Sequence, residues 1–432
     1  MREQLCEDMQ VVVLMGGLGT RLGADIPKSM VDVHGVPFFH YQFDIMRGAG
    51  FRKFVFCVGK GAEEIEEYFG DGSDFNVEIV YSYDGDHLLG TGGAVRKALP
   101  LLEQNFMLIY GDSFMDVNYF DIIVKYLQSE CWSLMTIMKN NNKYDVSNIE
   151  CNNGIILGYS KDKPSLFMEY IDYGISIFNR SIFSAWPPDT KFDLSEVFTF
   201  LVKNHELASH IVGRRFYEIG TPAALQEFKD YANNRWYTLH KAIFLDRDGV
   251  INEPAWNEDY EQLDSPFNKS QVKLKPNIVE GLRVLQEDHL LFIVTNQPAA
   301  AKGKTSYEQL CTVNQYIIDQ LAAEDIYITD YRICPHYEHD TPYTAEPYLI
   351  RNCGCRKPKP GMIIDIVNNY AIDIENSWMV GDFVNDILCG IISGLKTAFI
   401  GEYKCDTCAA LKYQKPDLIC ADLNEFAEEL LQ

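Results

Sequence analysis

Short apolar runs recur along this chain, each ending in Gly, Asp, Asn or Thr and separated by stretches with helical spacing. Gln10–Met15, Phe54–Gly59, Val77–Tyr81 and Phe106–Tyr110 read as buried strands, and Pro37–Gly50 carries its apolar residues at helical intervals. Strands of this kind alternating with helices predict a parallel, doubly wound sheet. The alternation then starts again, with strands expected at Ala242–Leu245, Leu290–Thr295, Ser377–Val380 and Thr397–Ile400. Between the two series, Gly220-Thr221-Pro222 opens a helix over Ala223–Arg235, and the polar Asn233-Asn234-Arg235 marks a boundary near residue 237. The pattern predicts two α/β, Rossmann-like domains, 1–236 and 237–432.

Composition narrows what such domains could serve. A chain of 432 residues is too long for one ordinary core. Its net charge of -24 argues against a nucleic-acid partner, because phosphate backbones reward a basic surface. No apolar run approaches the roughly 20 residues of a membrane span, so no membrane partner is expected. The start, Met1-Arg2-Glu3-Gln4-Leu5-Cys6, lacks the basic and apolar regions of a signal peptide. Twelve cysteines without a secretion signal read as reduced thiols or metal ligands, which points to the cytoplasm.

Candidate chemistry falls at the strand ends. In the first half, Gly16, Gly17, Gly19 and Thr20 lie where a strand gives way to a helix, so backbone N–H groups can approach a phosphate. Arg21 and Lys28 follow, the latter presented by the turn Pro27-Lys28-Ser29-Met30. Gly90-Thr91-Gly92-Gly93-Ala94 offers a second backbone cradle through Gly92 and Gly93, and Asp112 stands just past a strand.

In this order the segments resemble the sugar-1-phosphate nucleotidylyltransferases over roughly residues 10–230. The resemblance implies that the glycine loop holds a triphosphate and that Arg21 stabilises the leaving pyrophosphate. It implies that Lys28 touches the reacting phosphates and that Asp112 ligates Mg²⁺. Lys163 matches the family's sugar-phosphate lysine, with Lys161 a close rival, and Glu218 stands where the family carries its second metal carboxylate, usually Asp.

The second half opens on Asp246-Arg247-Asp248-Gly249, two carboxylates at the end of a buried strand. The first can attack phosphorus and the second can move the proton. Thr295 and Asn296 end another strand, Arg356 and Lys357 offer cations, and Gly381-Asp382-Phe383-Val384-Asn385-Asp386 closes a third with carboxylates. Cys334, His336, Cys353 and Cys355 make a full tetrahedral set for structural Zn²⁺, whereas Cys405-x-x-Cys408 lacks a second pair.

That order resembles the haloacid dehalogenase superfamily. The resemblance makes Asp246 the nucleophile and Asp248 the general acid and base. Thr295 and Lys357 would hold the phosphoryl group; Asp246, the Asp248 carbonyl and Asp382 would bind Mg²⁺. The Cys-Pro-His and Cys-x-Cys-Arg-Lys-Pro insertion further resembles the heptose 1,7-bisphosphate 7-phosphatases and the histidinol-phosphate phosphatases. Two segments depart from them: Pro298–Gly303 replaces Ser-Gly-x-Ala-Arg-Gly, and Phe383 replaces a cation. Together the halves resemble bifunctional heptose-activating enzymes, with GTP, a phosphorylated sugar and Mg²⁺ as the implied small-molecule partners. CTP- or UTP-dependent activation of another sugar or polyol is the first alternative. A histidinol-type phosphatase behind a non-catalytic nucleotide-binding half is the second.

Overall fold

The computed structural model describes residues 2–17, 26–85, 89–142, 146–160, 163–258, 261–339, 341, 343–402, 411 and 414–431. They form two compact units, Met1–Asn233 and Asn234–Gln432, each with cores of its own.

The first unit is built on nine strands: β1 (Gln10–Leu14), β2 (Lys53–Val58), β3 (Glu78–Tyr83), β4 (Asn105–Tyr110), β5 (Ser133–Lys139), β6 (Ile149–Asn152), β7 (Ile155–Tyr159), β8 (Tyr170–Asn179) and β9 (Leu207–Ile211). Their order across the sheet is β3-β2-β1-β4-β8-β5-β9-β7-β6. Why β1 lies inside the sheet follows from its composition. Val11 and Val13 pack into one core with Phe39, Phe43 and Phe69, while Val12 packs into the other with Ala94, Val95 and Phe198. A strand apolar on both faces has to be covered on both.

The expected parallel pairing holds for β3-β2-β1-β4. Beyond β4 the sheet is mixed, because β8 runs antiparallel to both β4 and β5. Chain length explains part of this. Only Asn153 and Gly154, both with positive φ, join β6 to β7, which closes a hairpin and leaves no room for a helical crossover.

The second unit holds six parallel strands, β10 (Lys241–Leu245), β11 (His289–Asn296), β12 (Asp330–Cys334), β13 (Trp378–Gly381), β14 (Lys396–Ile400) and β15 (Leu418–Cys420), in the order β12-β11-β10-β13-β14-β15. Again the central strand alternates between two cores. Ile243 and Leu245 face the helices Ile278–Leu285 and Tyr307–Ala322, while Ala242 and Phe244 face Gly361–Asn369.

The helix Pro222–Ala232 runs on into a π turn, Asn233–Tyr237. Arg235 in that turn is buried within the second unit. Its Nε donates to the Asn369 carbonyl at 2.9 Å, and its guanidinium lies over the Tyr370 ring.

Candidate active sites

In the first unit a cleft follows the carboxyl ends of β3, β2, β1 and β4. The chain leaves β1 through Gly16 and Gly17 and is pinned on the far side of the glycine loop, where Lys28 N–H donates to the Gly17 carbonyl at 3.0 Å. Gly111 N–H donates to the Leu14 carbonyl at 2.9 Å, which fixes Asp112 beside the loop. The Lys28 Nζ then meets Asp112 Oδ2 at 2.7 Å. Glu218 reaches the same corner by a short ribbon, pairing with Ser113 in register, while Ile219 N–H donates to the Asp112 carbonyl at 3.1 Å. One carboxylate and an ammonium therefore meet at the cleft, and the backbone of Glu218 runs beside them. The cavity measures about 270 Å³ and is lined by Gly16, Gly17, Lys28, Asp84, Thr91 and Asp112 among others.

Gly92 and Gly93 pack against the segment that carries Phe192. Both are buried, and both N–H groups donate to the Phe192 carbonyl, at 3.1 and 3.2 Å, so neither amide is offered to a ligand. A Cβ on Gly92 would enter the Phe192 ring, and one on Gly93 would sit 2.6 Å from the Thr190 carbonyl oxygen. These glycines permit close packing, and Gly90 and Thr91 face the cavity instead. Lys163 is exposed and does not line the cavity. Gly19, Thr20, Arg21 and Lys161 lie outside the described residues.

The second unit's site sits at the carboxyl ends of β10, β11 and β13. Asp246 is anchored by its N–H to the Val380 carbonyl at 2.9 Å. Lys357 is almost wholly buried and donates to three oxygens, Asp246 Oδ1 at 2.8 Å, Asp386 Oδ1 at 2.7 Å and the Val294 carbonyl at 2.7 Å. Asn296 holds the main chain of Lys357 from both sides: Lys357 N–H donates to its Oδ1 at 3.0 Å, and its Nδ2 donates to the Lys357 carbonyl at 3.1 Å. Asn296 thus positions the lysine, a role its place in the sequence did not suggest. Thr295 is buried beside it.

Asp246, Asp382 and Asp386 place carboxylate oxygens within 4.8 Å of one another. Burial pushes Asp382 up to about 7, with Asp246 and Asp386 adding like-charge repulsion. Burial also raises Asp386, although Lys357 pulls it back. Burial alone would lower Lys357, but Asp246 and Asp386 outweigh it and hold the ammonium charged. Three carboxylates against one ammonium form a donor set suited to a hard divalent cation.

Asp248 is not part of that cluster, and its carboxylate accepts from Arg247 Nε and Nη2, Asn252 Nδ2 at 2.8 Å, Ser265 Oγ at 2.9 Å and Gln297 Nε2. Burial would raise its pKa, but the Arg247 guanidinium and these donors hold it below the ordinary value. Asp386 is the last carboxylate of the Gly381–Asp386 motif, whereas no motif gave a role to Arg247, Asn252, Ser265 or Gln297, which surround the Asp248 carboxylate.

Cys334, His336, Cys353 and Cys355 close into a tetrad, with Sγ···Sγ separations of 3.3 to 3.6 Å and His336 Nδ1 at 3.2 Å from Cys355 Sγ. A zinc tetrahedron with Zn–S near 2.3 Å has edges of about 3.7 Å, so these residues fit that ion. Arg356 donates to the His336 carbonyl at 3.2 Å, tying the tetrad to the lysine segment.

Two α/β units, each with phosphate-handling groups at its strand ends, define a chain with two separate phosphoryl-chemistry centres. A model of the nucleotidyl transferase family matches residues 10–235, and a HAD-hydrolase-like model matches 354–426. A heptose-1,7-bisphosphate 7-phosphatase of Rhodopseudomonas palustris, named for the β anomer, is 32% identical over 155 residues, covering 36% of this chain and 79% of that protein. One of Photorhabdus laumondii, named for the α anomer, is 34% identical over 161 residues, or 37% and 81%. The D-glycero-α-D-manno-heptose 1-phosphate guanylyltransferase of Campylobacter jejuni is 27% identical over 223 residues, covering 51% of this chain and 98% of its own. The chain belongs to the nucleotidyl transferase family through its first half and to the HAD-like heptose-bisphosphate phosphatase family through its second.

Two substitutions test the geometry. Gly249 has φ +92, and a Cβ there would collide with the Asp382 carboxylate. Gly249→Ala is expected to cut phosphate release by about 10²-fold or more, the cost of a misplaced catalytic group, with pyrophosphate release unchanged. Gly92→Ala overpacks the Phe192 contact and should cost about 1–3 kcal/mol, read as a lower urea midpoint for the first unit.

Proposed function

We propose that this chain makes a nucleoside-diphosphate heptose in two steps, removing the 7-phosphate of heptose 1,7-bisphosphate and then joining the resulting heptose 1-phosphate to a nucleotide from GTP. The observation that carries the reading is the fusion itself: loss of the 7-phosphate from the α-heptose 1,7-bisphosphate for which one relative of the second half is named leaves the α-heptose 1-phosphate for which a relative of the first half is named. Hydrolysis at C7 leaves C1 untouched, so both halves have to accept the same anomer. The Campylobacter jejuni relative is named for the α anomer, and we extend that choice to both steps here.

In the first step Asp246 attacks the 7-phosphorus, and Lys357 offsets charge on the phosphoryl oxygens beside Thr295. Asp248 protonates the departing sugar oxygen and then takes a proton from the water that attacks the aspartyl-phosphate. Its Ser265 partner matters here, because a hydroxyl can turn from donor to acceptor without moving a heavy atom. That freedom accommodates Asp248 in its acid form. Mg²⁺ held by Asp246, the Asp248 carbonyl and Asp382 would supply further charge neutralisation.

In the second step an oxygen of the sugar 1-phosphate attacks the α-phosphorus in line, and pyrophosphate leaves. Gly16 and Gly17 cradle the triphosphate, Lys28 steadies the reacting phosphates, and Arg21 steadies the pyrophosphate. Asp112 and Glu218 would hold Mg²⁺, and Lys163 the sugar phosphate. Structural Zn²⁺ in the Cys334 tetrad would stiffen the segment that delivers Lys357. Among the described residues no helix is long and apolar enough to cross a membrane, and we place the enzyme in the cytoplasm, where its nucleotide partner is made.

Given heptose 1,7-bisphosphate, Mg²⁺ and GTP, the protein should release phosphate, then pyrophosphate and GDP-heptose. Asp246→Ala should stop phosphate release yet still yield pyrophosphate from heptose 1-phosphate, and Asp112→Ala should do the converse. Pyrophosphate release that survives Asp112→Ala would sink the first-half assignment. Metal analysis should find about one zinc per chain, and Cys355→Ser should remove it and lower phosphatase turnover about 10- to 100-fold; a zinc-free, fully active protein would exclude the structural ion.

A further inference from the structure

Ser29 follows Lys28 in the short turn after the glycine loop, and nothing in the chemistry above uses it. It is almost wholly buried, yet it lines the first cleft together with Lys28, Gly111 and Asp112. Its turn is tied down on both sides. Lys28 N–H donates to the Gly17 carbonyl at 3.0 Å, and Val31 N–H donates to the Lys28 carbonyl at 3.1 Å. Its Cβ is packed against the chain that leaves β4, so that a Cβ on Gly111 would lie 3.4 Å from it. Backbone bonds and packing therefore hold this side chain at the cleft wall.

The hydroxyl is left open there. Among the described residues Ser29 Oγ has no hydrogen-bond partner. Other buried side-chain atoms share that condition, but among the described residues Ser29 Oγ is the one that lines this cleft. A buried hydroxyl that bonds to nothing is costly, and a native fold keeps one where another molecule completes it. The neighbouring charges do not complete it, because Lys28 Nζ and Asp112 Oδ2 are matched to each other at 2.7 Å.

What completes it follows from that company. A hydroxyl sharing a cavity with an ammonium turns its lone pairs toward the cation and its proton away. It is thus set to donate to an anion that the same cation attracts. In the second step proposed for this chain, that anion is the reacting phosphoryl group that Lys28 steadies. We infer that Ser29 donates a hydrogen bond to a non-bridging oxygen of the nucleotide's α-phosphate, adding a neutral donor to the charge of Lys28. Charge gathers on that oxygen as the sugar phosphate attacks, so the bond tightens in the transition state. The inference rests on the nucleotidyltransferase reading of this half and adds a residue to its reacting centre.

The full-length enzyme would be assayed for pyrophosphate release from heptose 1-phosphate and GTP with Mg²⁺. Ser29→Ala should lower kcat about 10- to 100-fold, the worth of a hydrogen bond to a charged group, with KM for GTP moving less than about 3-fold. Ser29→Cys keeps the shape but donates weakly, and should lose a similar factor. Phosphate release from heptose 1,7-bisphosphate should be unchanged in both variants. The urea midpoint of the first unit should not fall in Ser29→Ala, since that change removes a polar group with nothing bonded to it. Wild-type kcat in the Ala variant overturns the inference, as a hydroxyl serving only a trapped water would give. So does full turnover in the Cys variant, which would mean that filling the space suffices. A loss confined to KM, or a lowered urea midpoint, overturns it as well. Failure of the underlying reading looks different: the wild type then yields no pyrophosphate with any triphosphate.

Discussion

The second unit is arranged around one buried ammonium. Lys357 lies among Asp246, Asp386 and the Val294 carbonyl, and without it three carboxylates at the ends of β10 and β13 would repel one another in a dry site. Much of the surrounding structure serves to put that ammonium there. Asn296 grips its main chain, the thiol tetrad sets the path of the segment before it, and Asp386 is buried with it as its partner. A buried cation held by three acceptors is costly to assemble and hard to misplace, which is what a phosphoryl-transfer centre requires.

The first unit meets a related problem with less burial. Lys28 and Asp112 pair across the mouth of the cleft, each partly exposed to solvent, and the glycine turn between them contributes amides more than charges. The difference matches the chemistry proposed for each. Covalent attack by a side chain demands a fixed nucleophile, whereas joining two bound phosphates mainly requires that they be aligned.

How much could be read beforehand depended on whether information was local. Strands such as Gln10–Leu14 and Lys241–Leu245 announced themselves because burial on both faces needs an unbroken apolar run. Asp246, Asp382 and the thiol tetrad were legible because their spacing is tied to strand ends and tight turns. The mixed half of the first sheet was not, since strand direction is settled by partners far apart in sequence. The close approach of Gly92 to Phe192 was hidden for a related reason: a glycine that admits a phosphate and one that admits a phenyl ring look the same in a sequence. Nor did spacing disclose the cage around Asp248, whose members Asn252, Ser265 and Gln297 come from three separate segments.

The 2.7 Å contact between Lys28 and Asp112 means that the cleft carries its own counterion. In the reaction proposed above, binding of a metal–nucleotide complex would amount to an ion exchange and not to a simple addition. Lys28 would turn from the Asp112 carboxylate to phosphate, and Asp112 would be free to hold a metal ion that neutralises it, so neither protein charge would be stranded. The same swap sets an entry threshold. A free metal ion would leave the lysine without its anion and a metal-free nucleotide would leave the aspartate without its cation, so the matched complex is the visitor that satisfies both.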